Sequence, residues 1–125
     1  MTSILAGGTD VLIALVALLH GYFLVLEMFL WDTPYGRRAF GLSEEKAKVT
    51  KVLAANQGLY NGFLAAGLIL ALIRGLPGPG VELASFILAC VIVAGLYGAS
   101  TAARRILYVQ ALPAILALAA VLTGV

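Results

Sequence analysis

Two ionisable side chains lie inside the first apolar run of this sequence, His20 and Glu27. A charge held at bilayer depth costs about 2.5–3.5 kcal/mol even on insertion scales, so such a residue is read first as a site. The two are seven positions apart and therefore share a helix face, with Leu24 between them and Trp31 one turn beyond Glu27. Seven residues rise about 10 Å. That gap is too wide for a direct bond but narrow enough for a substrate or a water chain. A carboxylate in this position can serve as acid or base, and His20 as a second proton carrier.

The second apolar run adds Asn56, Gln57, Tyr60 and Asn61. At 100° per residue these occupy one sector about 140° wide, and Gly58 and Gly62 fall outside it. The third run adds Tyr97 and Ser100, with Thr101 and Arg104 on the same face, and the fourth adds Gln110. By depth, all of these except His20 fall in one half of the bundle. The opposite half is nearly all Leu, Ile, Val, Ala and Gly. A polar pocket open at one end follows, with the amides orienting a ligand and Tyr60, Tyr97 and Trp31 as walls. The bland alternative is that the amides satisfy one another between helices, at about 0.6 kcal/mol each.

Metal chemistry is poorly supplied. One histidine, one cysteine and no second carboxylate at depth fall short of the three or four ligands a transition metal takes. No phosphate loop or dinucleotide motif is present, and no cofactor is indicated. Ser100 and His20 differ in depth, which separates them as a nucleophile pair. Asp10 and Glu82 read as solvated helix ends, and Cys90 as a small buried hydrophobe.

These residues need a scaffold, and composition says what kind. Of 125 residues, 62% are hydrophobic and 11% charged. A soluble domain is about 45–50% apolar and about 25% charged. Lipid must be the solvent for most of the chain. The expected fold is all-α, a four-helix transmembrane bundle in one domain, with spans at about 11–31, 51–73, 82–103 and 106–124. Asp32, Thr33 and Pro34 end the first span, and a polar loop with Arg37 and Arg38 follows. Ser43 reads as an N-cap with Glu44 and Glu45 in the first turn. The second helix therefore begins in water and enters the membrane near Lys51. The run Gly75 to Gly80 is a Gly/Pro turn. Pro113 marks a kink in the fourth span.

Lys and Arg set the orientation. Arg37, Arg38, Lys46, Lys48, Lys51, Arg104 and Arg105 fall on one side and Arg74 on the other. That bias predicts basic loops in the cytoplasm, both termini outside, and a second helix extended into the cytoplasm. The net charge of +2 gives no reason to expect nucleic acid as a partner. Rows of small residues, Gly58–Gly62–Ala66 and Gly95–Ala99–Ala103, let helices approach closely. Packing within one bundle accounts for them; the interface of a homo-oligomer is the sharper alternative.

The segments HGYFLVLEMFLWDTPYGRR from His20, KVLAANQGLYNGFLAAGLI from Lys51 and CVIVAGLYGASTAARRILYVQALPAILAL from Cys90 resemble a family of small bacterial four-span membrane proteins classed as a domain of unknown function. The resemblance covers nearly the whole chain. It implies a multi-pass protein of the bacterial inner membrane and no particular activity. A looser, fold-level likeness joins AANQGLYN, Ala54 to Asn61, to the second-helix motif of the MAPEG enzymes, whose arginine and glutamate are unmatched here. Glu27 is similar to the membrane glutamate of the small multidrug exporters, but the strong charge bias does not suit their topology.

Three functions remain open on this reading. The first is binding or processing of a small lipophilic molecule at Glu27. The second is a structural or accessory membrane subunit. The third is proton-coupled transport, which needs a polar path through an outer half that has few polar groups.

Overall fold

A computed structural model describes residues 7–124. All regular structure among them is helical: α1 (Gly8–Phe29), α2 (Pro34–Phe40), α3 (Glu44–Arg74), α4 (Val81–Thr101), a π-helical stretch (Leu107–Ala111) and α5 (Leu112–Thr123). The four expected apolar helices are present. Three of them, α1, α3 and α4, are long and apolar enough to cross a membrane, and Leu107–Thr123 forms a shorter apolar helix. The chain is a helical membrane protein.

The contacts divide the chain into two units. The middle unit holds residues 18–65. The terminal unit holds the described residues up to Ala17 and from Ala66 onward. Helices α1 and α3 each contribute to both.

In the middle unit the expected polar loop is instead a helix, α2. The signal for it was present in the sequence. Thr33 is extended (φ −123°, ψ 162°), its hydroxyl accepts from Gly36 N at 3.2 Å, and Pro34 opens the first turn. Threonine at the cap followed by proline is a strong start. Gly36 is buried because its Cα lies against the backbone of Leu30 and Trp31, where a Cβ would collide. Gly41, at φ 64°, closes the helix in the left-handed conformation. Arg37 Nη1 donates to Asp32 Oδ1 at 2.9 Å and tethers α2 to the preceding turn. Trp31 lies past the end of α1. Its ring packs on Phe40 at 4.7 Å, and its Nε1 donates to Thr50 Oγ1 at 3.0 Å.

The expected start of the second helix is observed. Ser43 Oγ accepts from Lys46 N at 3.1 Å, and Glu44 and Glu45 fill the first turn. The 31 residues of α3 rise about 46 Å. A bilayer core is about 30 Å thick, so α3 is long enough to project well beyond it.

Helix α3 meets α1 along Gly58 and Gly62. A methyl on Gly58 would lie 2.7 Å from Met28 Cγ and 3.0 Å from Glu27 Cβ. One on Gly62 would meet the Leu24 side chain. These glycines therefore serve packing within the chain. Ala66 does not extend their row: it is exposed, and Ala65 is buried instead.

In the terminal unit α4 packs on the π-helical stretch and α5. Ala84, Leu88, Val91 and Gly95 face Ala111, Ala114, Ala117 and Val121, all buried. A Cβ on Gly95 would sit 2.8 Å from Ala111 N. Ala103 lies beyond the end of α4, so the expected Gly95–Ala99–Ala103 row is cut short. The kink expected at Pro113 takes the form of the π-helical stretch just before it. Leu112 N bonds Leu107 O, five residues back. Pro113 has no N–H to offer one turn back, and the ladder widens ahead of it.

A further expectation is overturned here. Asp10 was read as a solvated helix end but is 6% exposed. Thr9 Oγ1 donates to Ala120 O at 3.2 Å, which draws the first turn of α1 onto the end of α5. Glu82 is exposed as expected. Cys90 is half-buried rather than buried and borders a shallow apolar groove with Phe86, Val93 and Tyr97.

Candidate functional site

The middle unit brings two expected residues together. Asn61 Nδ2 donates to Glu27 Oε1 at 2.5 Å. Local sequence explains why. Gly58 and Gly62 have no side chains, so α3 approaches α1 closely at Leu24, Glu27 and Met28. Asn61 lies at the edge of that seam and is 4% exposed. Its amide reaches an acceptor that would otherwise lie beside apolar side chains. The bond is charge-assisted when the carboxylate is ionised, which makes it one of the stronger kinds. Glu27 is half-buried. Asn61 is its only hydrogen-bond or ion-pair partner among the described residues. Carboxylate oxygens have room for about four donors, so this group retains capacity.

His20 shares the face of Glu27 but not its access. It is 0% exposed, with Phe23 edge-on to its ring at 5.4 Å. The structure therefore encloses one of the two ionisable groups and leaves the other partly open.

The sector Asn56, Gln57, Tyr60 and Asn61 is divided. Only Asn61 faces α1. Asn56, Gln57 and Tyr60 are exposed, and the Tyr60 ring contacts Phe63 at 5.8 Å. A sector of 140° is too wide to face one neighbour, and the glycine seam sits at the Asn61 edge. Trp31 is engaged by Phe40 and Thr50 as described. Tyr97, Ser100 and Gln110 belong to the terminal unit. Ser100 Oγ donates to Tyr97 O within its own helix at 2.9 Å. Gln110 lies in the π-helical stretch, partly buried.

The sequence reading also missed a polar contact at the surface. The phenols of Tyr22 and Tyr35 hydrogen-bond to each other, joining α1 to α2 at the surface. Nothing in the spacing of two residues thirteen apart signals this. It follows only once Thr33–Pro34 is read as the start of a helix that folds back.

Comparison with known proteins gives a family and supplies no chemistry. A family model described as "Protein of unknown function (DUF1304)" matches residues 14–122. A relative in Lactococcus lactis subsp. lactis (strain IL1403), uncharacterized protein YpaA, is 35% identical over 112 residues, covering 88% of this chain and 92% of its own length. No solved structure matches. Neither match points to the MAPEG enzymes or to the small multidrug exporters. With a match of that extent, the chain belongs to the DUF1304 family of proteins of unknown function.

Proposed function

We propose that this protein sits in the bacterial inner membrane with both termini outside, and that Glu27 and Asn61 form a site for a small lipophilic molecule bearing a hydrogen-bond donor. The charge asymmetry supports the orientation. Arg37, Arg38, Lys46, Lys48, Lys51, Arg104 and Arg105 then share the cytoplasmic side. The observation that carries the site is the 2.5 Å bond from Asn61 to a half-buried carboxylate within a spanning helix. An acceptor of this kind favours a ligand hydroxyl or amine. The flanking Leu24 and Met28 favour an apolar remainder. Entry is from the inner half of the membrane, because Glu27 lies near the end of α1 on the basic side.

A second reading treats the same bond as a structural pin, with the protein serving as an accessory subunit. It is favoured by the near-complete burial of Asn61 and by the bond itself, which ties α1 to α3. One variant separates the two readings. In Glu27→Gln the side-chain oxygen still accepts from Asn61, so the pin survives, but the carboxylate is lost. The test is a thermal-stability screen in nanodiscs with dodecylamine, dodecanol and dodecyl methyl ether. Stabilisation of the wild type by the amine or alcohol but not the ether, lost in Glu27→Gln, supports the site. Equal responses in both proteins would leave the pin as the better reading.

A further inference from the structure

One face of α3 is mismatched to both of its solvents. Val49, Val52, Asn56, Leu59 and Phe63 are spaced by three and four, and all five are exposed. Lys46, Lys48 and Lys51 keep the first two turns in water. Yet Val49 and Val52, in and beside those turns, are 76% and 74% exposed. Further along, where the helix is apolar, the same face presents the Asn56 amide, which hydrocarbon cannot satisfy. The Gly58 and Gly62 side, by contrast, is already occupied by α1.

Alternation of three and four is the pattern of a helix that packs lengthwise on another helix. A row of apolar positions interrupted by a single asparagine is the arrangement that fixes register between like helices. The amide is both donor and acceptor, so it complements a copy of itself. We propose that two copies of this chain associate side by side through the Val49–Phe63 face of α3, with Asn56 bonding to Asn56 of the second copy. Copies inserted in one orientation present α3 in parallel. A twofold axis along the membrane normal then places equal residues opposite each other. Pairing covers the valines in the aqueous turns and satisfies the amide in the apolar ones. Hydrogen bonds of this kind hold membrane helices together where apolar contact alone gives little drive.

The test uses single cysteines on a Cys90→Ala background in native membranes. Substitutions at Val49, Val52, Asn56, Leu59 and Phe63 are oxidised with copper-phenanthroline and compared with Lys51 and Gln57, exposed on other sides of α3. Disulfide-linked dimers at the five seam positions, and few at the two controls, are expected. Energy transfer between labelled copies diluted in liposomes gives an independent readout. There Asn56→Leu is expected to raise the dissociation constant about 3- to 20-fold, the range of one interhelical hydrogen bond. Absent crosslinks, equal crosslinks at the control positions, or a dissociation constant unmoved by Asn56→Leu would overturn the proposal.

Discussion

The two units pack their helices by the same means but put it to different use. In the terminal unit, Gly95 presses against the backbone of Ala111, and the buried residues of α4 are Ala84, Leu88, Val91 and Gly95. In the middle unit, Gly58 also opens a close approach, but onto a glutamate side chain whose oxygen bonds Asn61. Small residues suffice to hold membrane helices together, as α4 and α5 demonstrate. A carboxylate is therefore not needed for packing at Gly58. Glu27 differs from Asp10, the buried carboxyl in the first turn of α1 in the terminal unit, in being half-open with a side-chain amide donor beside it, and it is there that the proposed site lies.

The comparison can be broken at its tightest point first. Gly95→Val places a branched side chain 2.8 Å from backbone that cannot move aside. It is expected to destabilise the protein by about 3 kcal/mol or more, measured by steric trapping in bicelles. Asn61→Leu leaves the Glu27 carboxylate half-buried without its partner and is expected to cost about 1–3 kcal/mol in the same assay. Gly58→Ala meets the flexible side chain of Met28 first, at 2.7 Å, with Glu27 Cβ at 3.0 Å and the Leu24 carbonyl oxygen at 3.2 Å, so its cost is expected at about 1–2 kcal/mol, below that of Gly95→Val. A Gly58→Ala penalty as large as that of Gly95→Val would mean that the α1–α3 seam is as rigid as the α4–α5 one. Smallest is Asn56→Leu in the isolated chain. The residue is exposed, so the change is expected to stay within about 0.5 kcal/mol.

Much of this architecture was legible in the sequence, and the reasons differ by element. The helix ends were legible because charges and Gly/Pro turns interrupt apolar runs, as at Ser43–Glu45 and Gly75–Gly80. The glycine seam was legible as a row, but not its partner. Nothing in Gly58 and Gly62 says that Leu24 and Met28 will lie against them. Nor does spacing convey access. His20 and Glu27 share a face, yet only tertiary packing decides that one is enclosed beside Phe23 and the other half open. The polar sector of α3 was read as one surface because helical angle was the only information available. The structure gives its Asn61 edge to α1 and leaves Asn56 facing outward. Helix α2 was missed although Thr33–Pro34 announces it, because two adjacent arginines read more readily as a loop.

The central claim is that Glu27 is a partly open, ligand-competent carboxylate at membrane depth. The most direct measurement is its modification by dicyclohexylcarbodiimide, a lipophilic reagent for intramembrane carboxyls, mapped by mass spectrometry with and without dodecylamine. The account predicts that Glu27 is labelled and that the amine protects it while dodecyl methyl ether does not. An unlabelled Glu27, or labelling that the amine leaves unchanged, would contradict it.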